Sequence, residues 1–566
     1  MVSGTGTGAG VPASFTGKIE SLRSFVLAGT QSRREFLGRV TAGLVLPTLL
    51  QTISSASPKQ TTLIVAMTQG QLRTLDPDDA YEGGWWFMLG KALYDQLYTY
   101  RGASLTRIVN NLVTTSDVST DGLTYVFNLN PKVRFSNGAP ATADDLVFSF
   151  HRFLNLKGPG TFLLDGVKSI EKTGPQQIKL TLQSVNTALY SILTSPSINI
   201  VNASEIRAHG GTDQADAAKA DTAGPYLDAH SAGSGPFVLD SWVRRSQLVL
   251  KRNPNYWGTP ASVEQIIIKF ADEPSTQRDL LIRGDAHIAF NLTPDMIAEF
   301  DSNKTSNIGV VRTEALATAA LQLNVVNNPA LGKPANWEAI RYAIDYDGLR
   351  SLYRGGGSPT ASLVPPGLPG ALPMREAVRQ DVGKAKAALA RAGNPDGFKF
   401  VLTVSTNEAS GGVPSPVLAQ KLAADLAQVG IQATLRPMLV SQSLTESRAG
   451  KLEGYLHGWS ADYPHWSNYL EPFAPGGSVS LKRNGWRADA SPEAAKIAEL
   501  TKQALNTLDP RKQLPLVQDA QRMLNRYGPY AWLFDVYLQF AVRKDIVKYV
   551  AVNPIFWVDF QSLAMA

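Results

Sequence analysis

The sequence predicts an α/β protein of two or more lobes, and three observations carry that expectation. At 566 residues, 44% of them apolar, the chain outgrows a single core and has ample material for several. Between Lys384 and Leu435, helical and extended patterns alternate, as they do where helices cover a sheet. The segment from Asn110 to Phe150 reads as strand, break, short strand, tight turn and capped helix in immediate succession.

Taken in order, Thr61 to Ala66 is a β-branched strand, and Leu75-Asp76-Pro77 a turn. Thr124 to Leu129 is a strand, Asn130-Pro131 a break, and Val133 to Phe135 a second short strand. Ser136-Asn137-Gly138 then suits a turn that needs positive φ. The next helix starts at Thr142 as N-cap with Asp145 three residues on, and Leu146, Val147, Phe150, Phe153 and Leu154 give it one apolar face. Strands follow at Gln177 to Leu182, Gln247 to Lys251, Glu264 to Phe270 and His287 to Asn291, with a helix over Ser275 to Ile282. Leu321 to Val325 and Trp337 to Tyr346 are expected to be a strand and a helix only through the resemblance described below. From Gly355 to Gly370 the glycine and proline density forbids regular structure, so its three consecutive glycines form no phosphate cradle. Lys384 to Ala392 is a helix ended by Gly393, Phe398 to Ser405 a strand, Ala419 to Val429 a helix ended by Gly430, and Ile431 to Leu435 a strand.

Several of these phrases, in this order, resemble one family. The segment Thr120 to Ser149, the Leu75-Asp76-Pro77 turn, Leu93 to Tyr98, Gly233 to Phe237, Leu250-Lys251-Arg252-Asn253-Pro254-Asn255-Tyr256-Trp257, and Gly458 to Pro464 are similar to recurrent phrases of the extracytoplasmic solute-binding proteins of family 5. These are the peptide, dipeptide and nickel receptors of ABC importers. Ser136-Asn137 stands where the family usually has His-Asp, and His465-Trp466 where many peptide receptors have Asp-Pro or Glu-Pro.

The resemblance implies a two-lobed periplasmic binding protein fold of type II, cluster C, with an extra subdomain inserted in the large lobe. Its divisions are a leader at 1–56, a large lobe at 57–315 with the insertion at about 87–232, a second lobe at 316–530, and a return to the large lobe at 531–566. It implies a monomer that delivers a small peptide-like ligand to an ABC permease, with neither enzyme activity nor cofactor.

Ser32-Arg33-Arg34-Glu35-Phe36-Leu37-Gly38, followed by the apolar stretch Val40 to Leu50, resembles a twin-arginine export signal. Arg33, Arg34, Phe36 and Leu37 carry that match, and the twin-arginine translocase becomes an expected partner. The chain has no cysteine, which removes disulfides, thiolate metal sites and the lipidated Cys of a lipoprotein. The expected location is therefore the periplasm, as a soluble protein. The formal charge is +6, and about half of that excess sits in residues 1–56, so no nucleic-acid partner is implied.

In peptide-binding relatives the acid at the position of Asp462 receives the ligand's ammonium. That chemistry needs a carboxylate, because an ammonium taken out of water must be paired. Two roles are open to Asp462: this one, or an Asx-turn before Tyr463-Pro464, with Trp459 as ordinary core. Tyr81, Trp85 and Trp86 follow the Leu75-Asp76-Pro77 turn in a region that lines the cleft of relatives, one of the two tryptophans being expected in the core. Asp535 is a candidate second acid for a cationic ligand, with a cap or a surface ion pair as the alternatives.

The six histidines, at 151, 209, 230, 287, 457 and 465, show no tight ligand spacing, and no GxSxG elbow is present. His457 and His465 flank the expected pocket, so a metal-chelate receptor is the alternative within the family. A secreted hydrolase is the alternative outside it.

Overall fold

The computed structural model describes residues 61–566 apart from 71, 82, 83 and 304. The expected leader, with Arg33, Arg34, Phe36 and Leu37, lies outside the described residues.

One mixed sheet organises the chain. Its strands run in the order Gln432–Met438, Lys399–Ser405, Gly454–Leu456, Ile308–Leu323, Tyr530–Arg543, Ile288–Ala289, Thr62–Met67, Gln265–Phe270, Gln247–Arg252 and Phe237–Val243. Helices pack on it, so the α/β expectation holds. Thr62–Met67 lies parallel to Gln265–Phe270, with Val65 opposite Ile268. Leu63, Val65, Ile266 and Ile268 are fully buried, which is why these strands read as apolar runs.

The two lobes of this fold share the central pair of strands. Ile308–Leu323, 16 residues long, runs antiparallel to Tyr530–Arg543, 14 residues long, from Ile308 opposite Arg543 to Gln322 opposite Tyr530. At one end the pair joins Ile288–Ala289, and at the other Gly454–Leu456. Its register shifts between Glu314 and Ala317, and inside that bulge Leu316 adopts φ +48° while staying buried. A left-handed leucine costs of order 1 kcal/mol and persists only where its surroundings fix it.

A separate four-stranded sheet, ordered Val113–Val118, Thr124–Leu129, Gln177–Leu182 and Val167–Gly174, builds a second core with the helix Ala143–Leu156. That helix starts as its sequence requires. The backbone N–H and hydroxyl of Thr142 both donate to Asp145 Oδ2, at 2.9 and 2.8 Å. Gly138 takes the expected left-handed conformation at φ +87°.

Four expectations need correction. Val133 to Phe135 is no strand but a single bridge from Arg134 to Pro140, because Pro131 and Pro140 remove ladder donors on both sides. His287 to Asn291 shrinks to Ile288–Ala289: at its ends His287 Nδ1 accepts from Ile64 N–H at 3.2 Å, beside the backbone bond from His287 N–H to the Ile64 carbonyl at 2.7 Å, and Asn291 Oδ1 accepts from Thr68 N–H at 3.0 Å. The helix Trp337 to Tyr346 is two helices, Pro334–Ala343 and Tyr346–Ser351, broken where Asp345 caps the second by accepting from Gly348 N–H at 2.9 Å. The strand placed at Leu321 to Val325 begins at Ile308 and ends at Leu323.

The Leu75-Asp76-Pro77 turn is anchored by a buried cluster. Arg152 pairs with Asp76 at 2.7 Å, Asp78 at 2.6 Å and Asp221 at 2.8 Å, with no exposed side-chain surface of its own. Burial pushes Asp78 up to about 7, against the pull of Arg152. The cluster ties the turn to the helix Ala143–Leu156 and fixes the start of the segment that carries Tyr81.

Candidate functional site

The bulge at Leu316 positions the loop around Asp462. Trp459 and Ser460 pair with Thr318 and Ala317, after which the Leu316 carbonyl accepts two hydrogen bonds, from Ala461 N–H at 3.2 Å and from the Tyr469 hydroxyl at 2.7 Å. One strained residue thus holds both the loop and the helix Ser467–Phe473. From that helix Asn468 completes the frame: its Oδ1 accepts from Asp462 N–H at 3.0 Å, and its Nδ2 donates to Asp462 Oδ2 at 2.9 Å.

The other carboxylate oxygen of Asp462 accepts from the Tyr81 hydroxyl. Asp462 is therefore joined by side chains from two distant parts of the chain, which differs from the local Asx-turn geometry left open by the sequence. Burial raises its carboxyl above the ordinary range, although the bonds from Asn468 and Tyr81 favour the ionised form. The Tyr81 phenol is pushed far up, first by burial and then by the Asp462 charge. A carboxylate has about four acceptor positions. Two are used here, so the group retains capacity for a further donor.

The remaining candidates sit differently. Trp86 has no exposed surface and packs against Tyr94 at 6.3 Å, and Trp85 is buried against Phe270 at 6.0 Å; both belong to the main core. Core packing is the place the sequence led us to expect for one of the two. Trp459 is half-buried; its Nε1–H donates to the Asn468 carbonyl at 2.9 Å, its ring meets Phe473 edge-on at 5.1 Å, and the Arg483 guanidinium lies 5.9 Å from its centroid.

Asp535 is buried on the central strand Tyr530–Arg543, where Thr318 Oγ1–H donates to its Oδ1 at 2.5 Å. This is no surface ion pair. Burial pushes Asp535 up to about 7, and nearby Glu314 acts in the same direction. The Tyr469 phenol is pushed far up, first by burial and then by the charges of Asp535 and Asp462.

His465 is held at about 4 by burial, with its Nδ1 at 2.9 Å from Ser467 Oγ. His457 stacks on Tyr455 at 4.9 Å and lies 3.7 Å from Glu408. Among the described residues no group of three or more His, Cys, Asp or Glu side chains is placed to hold a metal ion.

Sequence reasoning missed Asn468, Tyr469, Leu316 and Arg483. Asn468 and Tyr469 follow Asp462 at short range, and their polar side chains beside an aromatic run were a usable signal. Leu316 had none, because a bulge between strands more than 200 positions apart is a tertiary property.

Residues 107–480, more than half of the chain, match the family model described as bacterial extracellular solute-binding proteins, family 5 Middle. The chain is 24% identical over 528 residues to the dipeptide-binding protein of Escherichia coli (strain K12), covering 91% of this chain and 97% of that protein. It is 26% identical over 491 residues to di/tripeptide-binding protein 4 of Pseudomonas aeruginosa (strain UCBPP-PA14), covering 82% and 88%. Among solved structures, the dipeptide binding protein from Pseudoalteromonas sp. SM9913 in complex with Met-Leu is similar with a TM-score of 0.76 at 18% identity, covering 89% of this chain and all of that one.

Proposed function

Because the chain belongs to the bacterial extracellular solute-binding proteins of family 5, we propose that it is the periplasmic binding component of an ABC importer, taking short peptides or similar cationic organic solutes between its lobes. The observation that carries the reading is the buried Asp462, framed by Asn468 and closed over by Tyr81. A carboxylate removed from water is costly unless a donor or cation meets it. A ligand ammonium supplies both.

Binding and release then depend on the lobes. The central strands Ile308–Leu323 and Tyr530–Arg543 are the two crossings about which a jaw would close, and ligand would favour the closed form through contacts made to both sides at once. The protein returns its ligand unchanged to the permease, so no catalytic residue is assigned. Export by the twin-arginine route rests on Arg33, Arg34, Phe36 and Leu37 in the sequence. Among the described residues no helix is long and apolar enough to cross a membrane, and the chain has no cysteine for lipid attachment. The protein is read as a soluble monomer.

Native mass spectrometry of the protein purified from an exporting host tests the proposal. A co-purified mass that fragments as a peptide or other amine supports it; a metal chelate, or a ligand without basic nitrogen, refutes the ligand class.

A further inference from the structure

Two parallel strands leave the main sheet at the same end. Lys399–Ser405 and Gly454–Leu456 run side by side with Thr403 opposite Tyr455, and the crevice outside the carboxyl ends of such strands is where open α/β sheets receive small molecules. The second strand continues through His457 and Trp459 into the Asp462 loop: His457 N–H donates to the Ala320 carbonyl at 3.0 Å, and Trp459 pairs with Thr318. The first continues to Glu408, whose carbonyl accepts from Ser415 N–H at 3.0 Å at the base of the hairpin Ala409–Ser410 and Val413–Pro414. The tip of that hairpin reaches across the fold. A Cβ on Gly412 would lie 2.5 Å from the Leu292 carbonyl, so Glu408 stands where segments from before and after the first crossing strand meet.

Glu408 and His457 face each other there. His457 Nδ1 lies 3.7 Å from Glu408 Oε1, beyond hydrogen-bond reach, and Glu408 Oε2 is buried and takes no hydrogen bond from the described residues. Among those residues no lysine or arginine lies within ion-pair distance of this carboxylate. Glu408 keeps 32% of its side chain exposed and His457 18%, so the pair is partly desolvated yet open to a group arriving from solvent. The imidazole is held from behind. It stacks on Tyr455 at 4.9 Å with the rings 6° from parallel, and the Tyr455 hydroxyl is 3.0 Å from Ser443 Oγ, itself 3.1 Å from Ser405 Oγ. A carboxylate with an unmet oxygen beside a fixed flat ring is suited to a planar cation, whose arrival offsets the desolvation of the acid.

We infer that Glu408, with His457 as its wall, is a subsite for a second cationic group of the ligand, a guanidinium side chain, so that the protein prefers a short peptide with its free ammonium at Asp462 and arginine as its second residue. The inference deepens the functional reading above and rests on it for the ammonium. Guanidinium is favoured over a second ammonium because its fork gives a carboxylate two parallel hydrogen bonds while its face lies on an aromatic ring. The spacing selects the second residue. Ala461 N–H bonds to the Leu316 carbonyl and His457 N–H to the Ala320 carbonyl, four residues apart on one strand, or about 13 Å at the usual strand rise. That is comparable to the reach from a dipeptide's ammonium, across one peptide unit, to the end of an extended arginine side chain.

The test is calorimetry on the exported protein with four dipeptides: Ala-Arg; Ala-citrulline, whose urea group is the neutral isostere of guanidinium; Ala-Glu; and N-acetyl-Ala-Arg. The wild type should bind Ala-Arg roughly 10-fold tighter than Ala-citrulline, between the values typical of exposed and of fully buried charge pairs, and should hold Ala-Glu weakest of the free dipeptides. Glu408→Gln should bring the ratio of the first two close to one. Glu408→Arg should invert the order of Ala-Arg and Ala-Glu, an outcome that a merely structural role for Glu408 does not produce. Equal wild-type affinity for Ala-Arg and Ala-citrulline, with N-acetyl-Ala-Arg rejected, would overturn the Glu408 subsite and leave the ammonium reading standing. A retained preference for arginine over citrulline, with N-acetyl-Ala-Arg bound as well as Ala-Arg, would support the subsite and overturn the ammonium reading. A wild type that binds none of the four would overturn both. Because the arginine and citrulline arms are compared on wild-type protein, a variant that fails to fold does not blunt the test.

Discussion

Tyr81 and Asp462 are 381 positions apart in the chain, and the hydroxyl of one donates to the carboxylate of the other. Tyr81 is set by the turn that Arg152 anchors through Asp76 and Asp78. Asp462 is set by the bulge at Leu316, through Ala461 and Tyr469. The bond therefore links two independently fixed frames, and the segment beside it reinforces the link, since the Tyr463 ring packs into the core of the four-stranded subdomain.

Replacing Tyr81 with Phe removes that bond and keeps the ring that meets Phe162 edge-on at 5.9 Å. A hydrogen bond to a charged group contributes about 1.5–3 kcal/mol, enough to move a near-balanced open and closed pair several-fold or more. The ligand-free variant should show a larger radius of gyration in small-angle scattering than the wild type. Identical scattering curves would mean that the bond does not hold the lobes together.

Ligand affinity should weaken on acidification. Burial raises the Asp462 carboxyl above its ordinary range, so the acid takes up a proton at a higher pH than an exposed aspartate and then cannot balance an ammonium. Titration calorimetry with an alanyl dipeptide at falling pH is expected to show affinity dropping before ordinary aspartates titrate. A flat profile down to the ordinary aspartate range contradicts this.

Asp535 makes a stability prediction of defined sign. Its carboxyl stands at about 7 in the folded protein against an ordinary 3.8, so the folded state binds the proton more tightly than the unfolded chain. Its contribution is therefore fully present below about pH 4 and is lost as pH rises towards and through 7. Asp535→Asn keeps an acceptor for Thr318 and removes the titration. Denaturant melts of the wild type and variant should converge near pH 4 and diverge in the variant's favour near pH 8. Parallel curves across that interval would refute the assignment.

Much of the local structure was legible. Thr124–Leu129 and Gln177–Leu182 fall at their expected bounds, because strand alternation and the flanking turns are written in neighbouring residues. The start of Ala143–Leu156 was equally plain from Thr142 and Asp145. The site was legible only in parts. Asp462 and Tyr81 were each singled out, yet nothing in either neighbourhood shows that they touch. Trp86 looked like Trp85 in sequence, and its burial is decided by Tyr94 and the core around it. Arg152 was an unmarked residue on a helix until Asp76, Asp78 and Asp221 were gathered round it, and no local pattern encodes that meeting.

Arg152→Met tests the anchor beneath Tyr81. It leaves three aspartates without their common cation, and breaking a buried pair from one side costs about 3–5 kcal/mol. The melting temperature should fall sharply at neutral pH and recover in part on acidification, as Asp78, already at about 7, becomes neutral. A variant as stable as the wild type at pH 7 would show the cluster to be dispensable.

The central claim is that Asp462 recognises a ligand ammonium, and a thermodynamic cycle measures it directly. Wild type and Asp462→Asn are each titrated in the calorimeter with an alanyl dipeptide and with its N-acetyl derivative. Asn keeps the shape and an acceptor oxygen but removes the charge. Acetylation should cost the wild type about 2–5 kcal/mol and the variant much less, giving a large coupling between the residue and the ammonium. A coupling near zero, with the variant still folded and still binding the free dipeptide, would show that Asp462 serves only to hold Asn468 and Tyr81 in place.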